Sequence, residues 1–188
     1  MENGFSALAT ASATLLGLVL VAVVFAFRST FTRLDRIADF KELAKWIWMS
    51  GFSCFLYFGA CLLLSFRMME EATNKPTLAA IVAAFSVALV VTHVLETRYL
   101  HMMRKMNPDG FKTVIAIQDP LIVLVFIGFE LLVWLAFAKG SLRAFELELY
   151  TALTYVLFFA SFRSVALVVL SFRAITLLEE QEPAGELP

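Results

Sequence analysis

Five long apolar runs are the dominant pattern of the chain, and short segments with most of the charges separate them. A membrane-spanning helix needs about 20 predominantly apolar residues, because the hydrocarbon core is about 30 Å thick. Each run is close to that length, so the pattern predicts an all-α, polytopic membrane protein with five transmembrane helices in one bundle. The predicted spans are residues 5–27, 46–66, 78–100, 120–138 and 149–172.

Composition supports a membrane protein and leaves no room for a separate soluble domain. The 188 residues are 61% hydrophobic and 16% charged, whereas soluble domains average about 25% charged residues. We therefore expect a single transmembrane domain over residues 1–178, followed by an acidic cytoplasmic tail over 179–188. A partial apolar stripe in the first connecting segment predicts a helix at the membrane interface over residues 32–45.

The distribution of Lys and Arg predicts the orientation. Ten of them follow the first, third and fifth spans, and four lie on the alternate side. Because cytoplasmic loops carry an excess of these residues, we expect the amino terminus outside and the carboxyl terminus in the cytoplasm. Residues 13–18 resemble the start of many small bacterial membrane proteins. We expect the protein in a cell membrane, namely the bacterial inner membrane.

The first span carries a stripe of small and hydroxylated residues that ends in a cation, at the spacing of one helical face. One interpretation is close helix packing, which small residues permit in membranes. The other is a pore-lining helix, in which the valines gate the path by excluding water and the arginine attracts anions to the inner mouth. The candidate pore-lining residues are Ser6, Thr10, Ala13, Gly17, Val21, Val24 and Arg28.

Ionisable residues in three other spans predict a shared polar cluster. At a rise of 1.5 Å per residue, Glu130 lies near the bilayer centre, His93 and Arg163 lie about 5 Å inward, and Glu96 lies about 10 Å inward. We expect Arg163 to pair with Glu130 first and with Glu96 second. One carboxylate then remains beside the histidine, which fits either a static ion pair that fixes helix register or a proton-linked site.

Other classes of function have less support. His93 and Glu96 are one helical His/Glu pair, whereas carboxylate-bridged metal sites use several, so we expect no metal and no other cofactor. No nucleophile and base lie at a convincing depth for an enzyme, and no basic domain could bind nucleic acid.

The function expected from the sequence is an oligomeric ion channel or pore, which the polar cluster could make proton-sensitive. Five helices hardly enclose a wide path, so we expect a cyclic homo-oligomer with the path at its axis. The alternatives are a membrane scaffold that docks a cytoplasmic protein partner and a small proton-coupled carrier.

Overall fold

The fold is a bundle of five long helices, as the hydrophobic pattern predicts. The computed structural model describes residues 2–31, 40–70, 74–106, 109, 111–139 and 142–179. All five helices are long and apolar enough to cross a membrane, which confirms the all-α fold class and agrees with the prediction of five spans. They are α1 (Glu2–Phe31), α2 (Phe40–Met69), α3 (Lys75–Met106), α4 (Lys112–Ala138) and α5 (Leu142–Glu179).

All five helices begin earlier than the predicted spans, by three to eight residues. The fourth span was predicted to begin at residue 120, but α4 begins at Lys112 and continues through Pro120. A proline inside a membrane helix is tolerated because neighbouring groups satisfy the backbone carbonyl that it leaves without a donor. Similarly, α2 begins at Phe40, so residues 40–45 of the predicted interfacial helix belong to α2. The rest of that predicted helix, residues 32–39, and the tail residues 180–188 lie outside the described residues.

The helices are arranged in a ring, in which α1 contacts α2 and α5, α3 contacts α2 and α4, and α4 contacts α5. Helices α2 and α5 also contact each other across the ring. The bundle therefore has two compartments, a small one between α1, α2 and α5 and a larger one between α2, α3, α4 and α5.

Burial shows which helices are central. In the span of α2, 56% of the residues are buried inside the bundle, whereas in the span of α1 only 22% are buried. Helix α1 therefore presents most of its surface outward, and α2 supplies much of the core, including the fully buried Trp46, Tyr57 and Phe58.

Candidate functional site

A carboxylate in the larger compartment organises a polar network that joins four helices. Glu96 on α3 has no exposed surface. Its Oε1 accepts hydrogen bonds from Ser50 Oγ of α2 and from Gln118 Nε2 of α4, the latter at 2.6 Å. Its Oε2 accepts from Arg163 Nη2 of α5 at 2.6 Å and contacts His93 Nδ1 at 3.3 Å. One side chain thus holds α2, α3, α4 and α5 together.

Arg163 balances the charge of this carboxylate. It is fully buried, and its guanidinium lies 5.9 Å from the centre of the Tyr57 ring, within the range of a cation–π interaction. Its Nε and Nη1 have no hydrogen-bond partner among the described residues. A buried ion pair needs good geometry to offset the free-energy cost of its desolvation. Here three further donors to Glu96, from Ser50, Gln118 and His93, help to offset that cost.

The tautomer of His93 follows from its two partners. An ionised carboxylate can only accept hydrogen bonds, so Nδ1 carries the proton that faces Glu96. In the neutral imidazole Nε2 is then an acceptor, and the Tyr57 hydroxyl, at 2.9 Å, is its donor. The rings of Phe126 and Phe129 pack edge-on against His93 and Tyr57, at centroid distances of 5.7 and 5.9 Å. We call these six residues the polar network: Ser50, Tyr57, His93, Glu96, Gln118 and Arg163.

Glu130 does not share the hydrogen bonds of the network. The expected pairing of Arg163 with Glu130 is wrong, since the partner of Arg163 is Glu96. The inner face of α4 is formed by Val125, Phe129 and Val133, and Glu130 is turned one position away from it. Its Oε2 accepts a hydrogen bond from Trp134 Nε1 of the same helix at 2.9 Å. Three of the four predicted cluster residues therefore meet, and the fourth is half-buried at the flank of α4 and bonds within its own helix.

The predicted stripe on α1 lies on the side that faces away from the bundle. A methyl group added at Gly17 would meet no atom within 4 Å in the described part of the chain. The hydroxyl of Thr10 bonds the carbonyl of Ser6 at 3.0 Å, which leaves the stripe smooth. All seven members are exposed in the protomer: Ser6, Thr10, Ala13, Gly17, Val21, Val24 and Arg28.

Three members of the polar network were not expected from the sequence. Ser50 and Tyr57 lie seven residues apart on α2, which is a helical repeat that places them on one face. Gln118 is the only amide side chain in α4, and an uncharged polar residue in a long apolar helix is a signal for a contact with another helix. These two patterns could have identified all three.

The arrangement is suited to holding helices in register. It is poorly suited to binding a ligand, because both oxygens of Glu96 already accept hydrogen bonds from the protein. Across the described ranges, no group of three or more His, Cys, Asp or Glu side chains could hold a metal ion. Comparison of the chain with protein-family models, with curated proteins and with solved structures finds no match.

Proposed function

We propose that the protein is a homo-oligomeric ion channel whose path lies at the symmetry axis, lined by the outer face of α1. The observation that carries this proposal is the position of the seven stripe residues, all exposed and turned away from the protomer's own core. A cyclic arrangement would bring one copy of this face from each subunit to a common axis.

The interior of one protomer is a poor alternative for the path. The larger compartment contains the Glu96–Arg163 pair, neither of whose side chains has exposed surface. The rings of Phe126 and Phe129 close the compartment on the α4 side. An ion crossing there would have to break the bonds that hold four helices together, so a path between protomers needs less rearrangement.

The chemistry of the stripe changes along α1 as a channel wall requires. Ser6 and Thr10 offer hydroxyl groups at the amino-terminal end, where an ion loses part of its hydration shell. Val21 and Val24, which are 52% and 56% exposed, would form an apolar constriction of the kind that gates by losing water. Arg28 lies in the last turn of the helix.

The first prediction concerns ion flux through the purified protein in liposomes. Val21→Trp is expected to abolish flux, because one indole from each subunit would fill the axis at the constriction. Val123→Trp on α4 is the matched control, since both valines are 52% exposed, and it is expected to keep most of the flux. Both variants should assemble like the wild type in size-exclusion chromatography with light scattering.

Two results would contradict the channel. Equal loss of flux in both variants would show that a bulky side chain anywhere on the surface reduces flux and that α1 does not line the path. An absence of flux in the wild type, together with stable co-purification of a cytoplasmic protein, would favour the scaffold instead.

A second prediction concerns ion selectivity at the inner mouth. Rings of arginine favour anions in pores, so Arg28→Ala is expected to shift the reversal potential in a chloride gradient towards lower anion preference. Arg173→Ala on α5, which removes another exposed cation near a helix end, serves as the control. An unchanged reversal potential in Arg28→Ala would place Arg28 away from the path.

A further inference from the structure

The outer side of α4 has a pocket in which an acid is surrounded by apolar side chains. Its volume is about 490 Å³, within the range of small-molecule sites. Glu130 and the indole of Trp134 are its polar groups, and the latter is 41% exposed. The pocket is lined by Phe126, Ile127, Glu130, Leu131, Trp134 and Leu135.

The depth of Glu130 makes its surroundings unusual. It lies eight residues before the end of α4, which is about 12 Å along the helix axis. A carboxylate at such depth in an apolar surface needs a cation, a donor or water. Trp134 Nε1 supplies one neutral donor to Oε2, and Oε1 has no hydrogen-bond partner among the described residues.

Among the described residues, no cation pairs with Glu130. Arg163, the basic residue inside the bundle, binds Glu96. Lys139, which follows α4, lies 3.4 Å from Glu148, and Lys112 is at the opposite end of the helix. A compensating charge at Glu130 would therefore come from outside the protomer, and at this depth it would come from the hydrocarbon phase.

We propose that this pocket binds a lipophilic organic cation. Glu130 supplies the negative charge. The indole of Trp134 and the ring of Phe126 offer aromatic faces, which attract a cation most strongly where water is excluded. Ile127, Leu131 and Leu135 match an apolar body, and such a molecule reaches the pocket by dissolving in the membrane.

This site is separate from the channel proposed above. Helix α4 does not contact α1 in the described structure, so the pocket and the α1 stripe lie on different sides of the protomer. Binding can accordingly be measured on the purified protein without any measurement of flux, and either proposal can fail without the other.

The test uses tetraphenylphosphonium, a delocalised cation with an apolar surface, and the full chain in nanodiscs. Glu130→Gln keeps the shape of the side chain and removes its charge, so the dissociation constant measured by equilibrium dialysis is expected to rise about tenfold or more. Glu148→Gln, which removes a partly exposed acid of α5, should leave it unchanged. Triphenylphosphine, an uncharged analogue, should not distinguish wild type from Glu130→Gln.

A second variant keeps the proposal testable if Glu130→Gln fails to fold. Ile127→Trp fills the pocket from an exposed position without touching the carboxylate, and it too should weaken binding about tenfold. The proposal is overturned if folded Glu130→Gln, judged by circular dichroism, binds the cation as tightly as the wild type. It is also overturned if Glu130→Gln changes the oligomer mass but not the binding, since the pocket would then be a contact between subunits.

Discussion

Replacing Glu96 with glutamine is expected to destabilise the folded protein by about 3–5 kcal/mol, because it removes one partner of a buried ion pair and leaves the other uncompensated. The amide has nearly the same volume, so no cavity forms. It can still accept on one side, but in either orientation its nitrogen would face a donor: His93 Nδ1–H and Arg163 Nη2 at the position of Oε2, or Gln118 Nε2 at the position of Oε1. The free energy of unfolding can be measured by titrating mixed lipid–detergent micelles with a denaturing detergent.

The chain offers a matched control for this prediction. Glu148 also pairs with a cation, Lys139, but both side chains are more than 40% exposed. Exposed pairs contribute about 0–1 kcal/mol, so Glu148→Gln should change stability little. The double variant Glu96→Gln, Arg163→Met should recover much of the loss, since a neutral pair leaves no charge buried. Equal effects of the two single glutamine variants would show that the network contributes nothing special to stability.

The helical architecture could be predicted because hydrophobicity alone decides which segments can be in a bilayer. Each apolar run of sufficient length became one helix, and α3 and α5 extend beyond their apolar runs, to Met106 and Glu179. Arg163 could also be assigned to the interior, since a guanidinium on an apolar helix needs a buried partner. Residues 32–39 and 180–188, with the predicted interfacial segment and tail, stay predictions.

The rotation of α4 could not be predicted, and the error about Glu130 follows from it. Apart from Gln118, Asp119 and Glu130, helix α4 is apolar on all sides after its first residues, so hydrophobicity does not mark an inner face. Depth placed Glu130 and Glu96 about equally far from Arg163, at about 5 Å each, but the inward direction on α4 belongs to Val125 and Phe129. Depth along a helix axis is a property of the sequence, whereas the direction around the axis depends on neighbours that the sequence does not specify.

Gln118 was missed for a different reason, the position of the helix start. The predicted span began at residue 120, which placed Gln118 outside it, although Gln118 lies in the second turn of α4 and donates to Glu96. The signal of a lone amide in an apolar helix applies only once Gln118 is assigned to the helix. Gln118 belongs to the network because α4 begins before Pro120. The position of the helix start therefore determines which residues of α4 reach Glu96.

The two outward features of the protomer have different consequences for assembly. The α1 stripe begins with small and hydroxylated side chains and ends in two valines and an arginine, which suits a face shared by several subunits around an axis. The α4 pocket is concave and contains a carboxylate, which suits a small ligand better than a packed helix. The larger compartment, between α2, α3, α4 and α5, is held together by the polar network and would keep both surfaces in place.

Gly128 of α4 packs tightly against the ring of Tyr155 of α5, and its replacement by alanine is expected to cost about 1–3 kcal/mol of stability. A Cβ atom at Gly128 would lie 2.0 Å from Tyr155 Cε1 and 2.4 Å from its hydroxyl oxygen. The ring of Tyr155 must therefore move, and it would lose its hydrogen bond to the Leu124 carbonyl at 3.2 Å. The expected result is a weaker α4–α5 contact, seen as a lower free energy of unfolding in the same micelle titration.

Gly17→Ala is the matched control, because no described atom lies near its added methyl group. That variant should be neutral or gain about 0.5–1 kcal/mol, since alanine loses less backbone entropy than glycine in a helix. If Tyr155 is the cause of the loss, Gly128→Ala should cost little in a Tyr155→Ala background, and the double-mutant cycle gives the coupling directly. An equal cost of Gly128→Ala with and without the tyrosine ring would assign the close approach to the helix backbones instead.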